Sequence, residues 1–147
     1  MSSAPVAPAW FRYLSWSCAL LLLLCAGLQF NDPDPLRWIA FYAGAAAISI
    51  ILPLRLRVHP VAVVLGMAAA IWCGYLGAPV VGLVGLTDLF TKMSDQGGLV
   101  EQAREAVGTG LVSLWLASAA TIAKRLLKPA AIVKRTASDA TTTQPRR

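Results

Sequence analysis

The sequence predicts an all-α integral membrane protein, a four-transmembrane-helix bundle with both termini on the cytoplasmic side. Three observations carry that expectation. The chain is 57% hydrophobic and only 14% charged, where soluble domains hold about 45–50% apolar and about a quarter charged residues. Its charged residues enclose uncharged windows of spanning length. Its basic residues gather on alternate connections. A mean hydropathy of +0.64 argues against a disordered chain, a soluble enzyme or a disulfide scaffold.

Residues 13–31, 38–54, 58–87 and 106–123 contain no Asp, Glu, Lys or Arg. A helix of seventeen to nineteen residues covers about 26–28 Å of a hydrocarbon core about 30 Å thick. Each window therefore crosses once. The third is too long for one span and too short for two with a turn, so it holds one helix and an apolar exit. The membrane domain is residues 10–128, preceded by a short tail, 1–9. Its helices are expected at about 11–30, 36–53, 58–77 and 103–127.

Helix one is apolar all round, with a leucine run from Leu20 to Leu24. A chain this short has no core large enough to bury such a helix, so it belongs in lipid. A cleaved signal is not expected, because Leu28, Gln29 and Phe30 offer no Ala-x-Ala site. Cys25 follows Leu24 rather than the small residue a lipidated cysteine requires. Cys18, Cys25 and Cys73 show no CxxC or His/Cys ligand spacing and are read as small hydrophobes.

At the first outer turn, Pro33 and Pro35 are expected to hold Asp32 and Asp34 extended. Pro35 suits the first position of helix two, which makes Asp34 its N-cap. Trp10, Phe11, Tyr13 and Trp16 mark the inner headgroup boundary, and Phe30, Trp38, Phe41 and Tyr42 the outer one. His59, next to Pro60 at the inner edge, is read as an interfacial cap for want of a second ligand.

Helices in lipid associate through small residues that let backbones approach. On helix three, Ala62, Gly66, Ala70, Gly74 and Ala78 recur every four residues and are the expected packing ridge. Helix two offers Ala40, Ala43, Gly44 and Ala47, and helix four Thr109, Ser113, Ala117 and Thr121. Between them, residues 79–98 form an apolar or partly helical outer segment. Thr87 there caps a small interfacial helix whose Leu89, Phe90 and Met93 face lipid. Residues 129–147 read as a basic, largely disordered cytoplasmic tail, with no large apolar side chain in 136–147.

Orientation follows from the charges. One face carries Arg12, Arg55, Arg57, Lys124, Arg125, Lys128, Lys134, Arg135, Arg146 and Arg147 against Asp139 alone. The other carries Arg37, Lys92 and Arg104 against Asp32, Asp34, Asp88, Asp95, Glu101 and Glu105. The positive-inside rule puts the first face in the cytoplasm of a cell (inner) membrane protein. Its basic end, with Leu126, Leu127, Ile132 and Val133 interleaved, suits anionic lipid headgroups rather than nucleic acid.

The densest polar cluster lies outside: Gln29, Asn31, Asp32, Asp34, Trp38 and Tyr42, facing Glu101, Arg104 and Glu105 at the start of helix four. Gln29, Asn31, Asp32, Pro33, Asp34, Pro35, Trp38 and Tyr42 form a Q-x-N-D-P-D-P-x-x-W-x-x-x-Y element, and Arg104, Glu105 and Gly108 an R-E-x-x-G element. In both, the chain resembles the transmembrane protein 220 family. The resemblance implies a small four-span fold and brings no activity, ligand or cofactor with it.

Read from the residues, the cluster is a tight turn clamped by an ion pair of Arg104 with Asp32 or Asp34, Asp32 foremost. The functional alternative is a shallow polar mouth for a partner protein, a lipid headgroup or a cation held by hard oxygen ligands. The spans carry no ionisable mid-bilayer residue of the kind that ion-coupled transport uses. No catalytic residue, metal or cofactor is expected. The reading is a non-enzymatic membrane subunit or scaffold, partnered by the bilayer and by other membrane proteins or a second copy. A small-molecule or ion carrier, or an enzyme acting on lipid or quinone, is the alternative.

Overall fold

The computed structural model describes residues 7–32, 34–90 and 98–142, with side chains as far as residue 128. Among the described residues the protein is all-helical: α1 (Ala9–Leu28), α2 (Pro35–Ile51), α3 (His59–Gly77) and α4 (Leu99–Thr142), joined by short 3-10 turns. Three segments are long and apolar enough to cross a membrane: Ala9–Asn31, Leu56–Gly77 and Leu99–Lys128. The apolar α2, at 17 residues, is shorter.

α1 packs on α2 and α3 on α4, forming two hairpins joined through α2 and the turn at Leu56–Val58. α1 buries one narrow stripe, Phe11, Ser15, Ala19 and Ala26. The leucine run lies away from it, with Leu20, Leu21, Leu23, Leu24 and Leu28 exposed as lipid-facing residues should be. α2 buries Trp38, Tyr42, Ala45, Ala46 and Ser49. Its small interfacial residues are therefore Ala45, Ala46 and Ser49; Ala40 and Ala47, expected to pack, are exposed.

The residues of the ridge expected on α3 differ in exposure. Ala62 and Gly66 are buried, but Ala70, Gly74 and Ala78 are exposed. A stride of four residues advances about 40° beyond a full turn each time, so a five-member row winds off any straight interface. The seam instead alternates strides of four and three through Ala62, Gly66, Ala69 and Leu76, the spacing that stays in register with a neighbouring helix. Opposite it, α4 buries Ala103, Ala106, Thr109, Val112, Leu116, Ala119, Ala120 and Ala123. Ala117 and Thr121, expected there, are exposed.

The α3–α4 register is antiparallel and close. A Cβ on Gly66 would stand 3.3 Å from Leu116 Cβ and 3.4 Å from the Ala117 backbone nitrogen, while one on Gly110 would meet Cys73 Sγ at 3.1 Å. Hydrogen bonds add direction where the hydrophobic effect gives none. Trp115 Nε1 donates to Ser49 Oγ (2.9 Å), which donates to the Ala45 carbonyl (2.8 Å).

The end that carries Ala7 and the α2–α3 turn closes with a second cluster of Ala7, Phe11, Leu52, Leu56, Ala62, Ala119, Ala120 and Ala123. The Ala7 N–H donates to the Pro53 carbonyl and Trp16 Nε1 to the Ile50 carbonyl. His59 Nδ1 lies 3.2 Å from the Leu56 carbonyl, a local cap as expected of it. All three cysteines are free and half-buried.

The outer segment turns at Gly82, whose φ of 79° favours glycine. The helix expected after Thr87 is a single 3-10 turn, Asp88–Phe90. Met93, Lys92, Asp95 and Gly97 lie outside the described residues, as do Pro33 and the ends 1–6 and 143–147. α4 runs on as helix to Thr142, where the composition reads as an irregular tail from residue 129. Ala130, Ala131, Lys134, Arg135, Ala137 and Ala140 are strong helix formers and extend a helix already nucleated.

A candidate polar mouth at the outer end

The turn between α1 and α2 is built by Asp32. Its backbone is extended, ψ 149°, as a residue before proline should be. Its carboxylate Oδ1 accepts the Asp34 N–H at 3.1 Å, an Asx turn that mimics a backbone turn. Asp34 occupies the N-cap position of α2 but makes no side-chain cap, and its ψ of 56° is not extended. Its carboxylate is engaged elsewhere. Gln29 folds its amide back onto the Cys25 carbonyl (3.1 Å) and so covers an open acceptor at the end of α1. Asn31 is exposed.

The basic residue that spans the mouth is Arg37, not Arg104. Arg37 Nη2 lies 3.4 Å from Asp34 Oδ2 and 3.9 Å from Glu105 Oε1. Asp32 has no such pair with Arg104, whose Nε donates instead to the Leu89 carbonyl at 2.8 Å. Arg104 thereby anchors the outer segment to α4. The reason is helical phase: Arg104 follows buried Ala103 and sits on the side of α4 that faces that segment, whereas Glu101 and Glu105, four apart, share the other.

Beneath Arg37 lies an aromatic floor. Trp38 and Trp72 stack with centroids 4.9 Å apart and planes 8° from parallel. The Arg37 guanidinium carbon sits 5.0 Å from the Trp38 ring and 5.7 Å from Trp72. Phe41 closes the floor edge-on against both. Because Arg37 is half exposed and Asp34 more so, each contact contributes no more than about 1 kcal/mol; together they fix where the guanidinium points.

Asp32, Glu101 and Glu105 form the polar wall. One carboxylate oxygen from each lies within 4.8 Å of the others, and all three residues are half-buried. The Trp38 indole, itself 1% exposed, lies beside Glu105.

Deeper in, the two sequence elements meet directly. A Cβ on Gly108 would collide with the Tyr42 hydroxyl. The glycine is a notch, and the tyrosine at the far end of the other element fills it. Of the expected cluster, Asp32, Glu101, Glu105, Trp38 and Tyr42 are thus brought together, Asp34 joins through Arg37, and Gln29, Asn31 and Arg104 stand apart. Sequence reasoning missed Arg37, Phe41 and Trp72. Arg37 lies one turn from Asp34, a signal the spacing carries, whereas Trp72 is remote from Trp38 in sequence and gives no such signal.

The arrangement offers hard oxygen donors, one guanidinium and a flat aromatic surface. Comparison with curated proteins and with solved structures gives no match. A family model, transmembrane family 220, helix, matches residues 21–121, the stretch that holds both elements and parts of all four helices. The chain belongs to transmembrane family 220.

Proposed function

We propose that the protein is a four-span, non-enzymatic membrane subunit or scaffold whose outer mouth is its recognition surface. Three helices have the length and hydropathy to cross. We take α2 as the fourth span, since its 17 residues cover about 26 Å and hydrophobic mismatch is met by local thinning or flanking anchors. The charge bias then places both termini in the cytoplasm of the cell (inner) membrane. Lys124, Arg125 and Lys128 meet anionic headgroups there.

The observation that carries the reading is the meeting of Tyr42 with Gly108 beneath Arg37 and Glu105. Residues from two distant sequence elements build one organised polar surface. A membrane protein partner or a second copy is the occupant we favour.

The test is site-specific photocrosslinking in intact cells from Leu36, which is 81% exposed beside the mouth, compared with lipid-facing Val64. A discrete protein adduct from Leu36 alone supports the reading. Equal adducts from both positions, or none from Leu36, overturn it. Reporter fusions check the frame: positions 56 and 135 should read cytoplasmic and position 95 external.

A further inference from the structure

We propose that Asp32, Glu101 and Glu105 form a binding site for a divalent metal cation, calcium above all. The three carboxylates come from the Asx turn after α1 and from adjacent turns of one face of α4, so the fold converges them rather than leaving them as scattered surface acids. One oxygen from each lies within 4.8 Å of the others. Calcium takes oxygen ligands at about 2.3–2.6 Å, so oxygens sharing one ion lie no more than about 5 Å apart. A single ion reaches all three.

The second observation is the Trp38 indole. It is buried to 1% exposure, its Nε1 has no acceptor in hydrogen-bonding geometry, and it lies beside the Glu105 carboxylate. A buried donor left open costs about 1–3 kcal/mol. Carboxylates that ligate a metal are themselves held from behind by such a donor, which sets their orientation and frees one oxygen for the ion. When Glu105 turns to an ion, the Trp38 N–H is the neighbouring donor that can take up this role.

Arg37 is the competitor. At 3.9 Å from Glu105 its guanidinium takes part of the charge an ion would take. When an ion is seated, Glu105 turns to it, and Arg37 keeps Asp34 and the aromatic floor. The inference rests on the outer placement proposed above only for the compartment that supplies the ion. Binding in detergent has no sides, whereas binding in sealed vesicles does, so either reading can fail without the other.

The experiment uses the full chain, purified in detergent and stripped with chelator. Terbium(III), a calcium substitute, is titrated with excitation through tryptophan and then displaced with calcium chloride; calorimetry with calcium alone gives the stoichiometry. One ion per chain is expected. Asp32→Asn, Glu101→Gln and Glu105→Gln should each weaken binding by about tenfold or more. Asp34→Asn should leave it nearly unchanged, Arg37→Gln should tighten it, and Trp38→Phe should dim the sensitised emission. If the carboxylate variants do not fold, the wild-type chain still decides, through a calcium-dependent rise in its unfolding temperature together with calcium displacement of terbium. No saturable binding at millimolar calcium, binding indifferent to the three substitutions, or magnesium displacing terbium as well as calcium does would overturn the proposal.

Discussion

Replacing Gly108 with alanine gives the sharpest test of how the mouth is built, because two opposing effects act on one atom. In a helix interior alanine is favoured over glycine by about 1 kcal/mol. Here the added Cβ meets the Tyr42 hydroxyl head-on, and overpacking of this kind costs about 1–3 kcal/mol. Gly108→Ala should therefore be destabilising by about 1 kcal/mol net. In a Tyr42→Phe background the hydroxyl is gone and the nearest ring atom, Cζ, is 3.7 Å from the new Cβ, an ordinary contact. There the same substitution should become neutral or stabilising. The sign reversal is the prediction, and a double-mutant cycle should give a coupling of about 1 kcal/mol or more. Thermal unfolding of the four variants in nanodiscs, followed by tryptophan fluorescence, measures it. Additive effects, or a Gly108→Ala variant as stable as wild type, would refute the notch.

Other outcomes follow from the seam and the floor. Gly66→Leu should abolish stable accumulation, since its side chain enters the α4 backbone at Ser113 and Ala117, while Gly74→Leu, with nothing within 4 Å, should be tolerated in the same expression assay. Ser49→Ala should lower stability by about 1 kcal/mol by stranding the Trp115 N–H, and Trp115→Phe in that background should cost little more. Arg37→Met, which keeps apolar cover over Trp38 and Trp72 but loses both carboxylates, should cost less than about 1 kcal/mol in a denaturant titration.

The helices were legible because hydrocarbon thickness and charge placement act on whole segments. Windows free of charge at 13–31, 58–87 and 106–123 predicted α1, α3 and the membrane part of α4. What the sequence hid was rotation. A row of small residues at Ala62, Gly66, Ala70, Gly74 and Ala78 looks continuous in one dimension, yet the upper half winds into lipid. The same blindness gave the clamp to Arg104. Its place beside Glu105 could not reveal that one turn of the helix points it at Leu89 and leaves Arg37 to bridge. Trp72 was hidden for another reason: it lies thirty-four residues from Trp38 in sequence, and only the docking of one hairpin on the other stacks them.

That docking has a consequence for how the molecule is made. Between the hairpins, α2 supplies Trp38 to Trp72, Tyr42 against Gly108, Ser49 to Trp115 and Arg37 to Glu105. α1–α2 and α3–α4 each hold their own long interface, so with α2 taken as the fourth span, as proposed above, they can enter the bilayer as separate units during synthesis. Maturation is then the late closure of one helix onto an already inserted pair. Faults on α2 should leave chains that are correctly inserted but unlatched, so quality-control proteases would meet them in the membrane rather than in the cytosol.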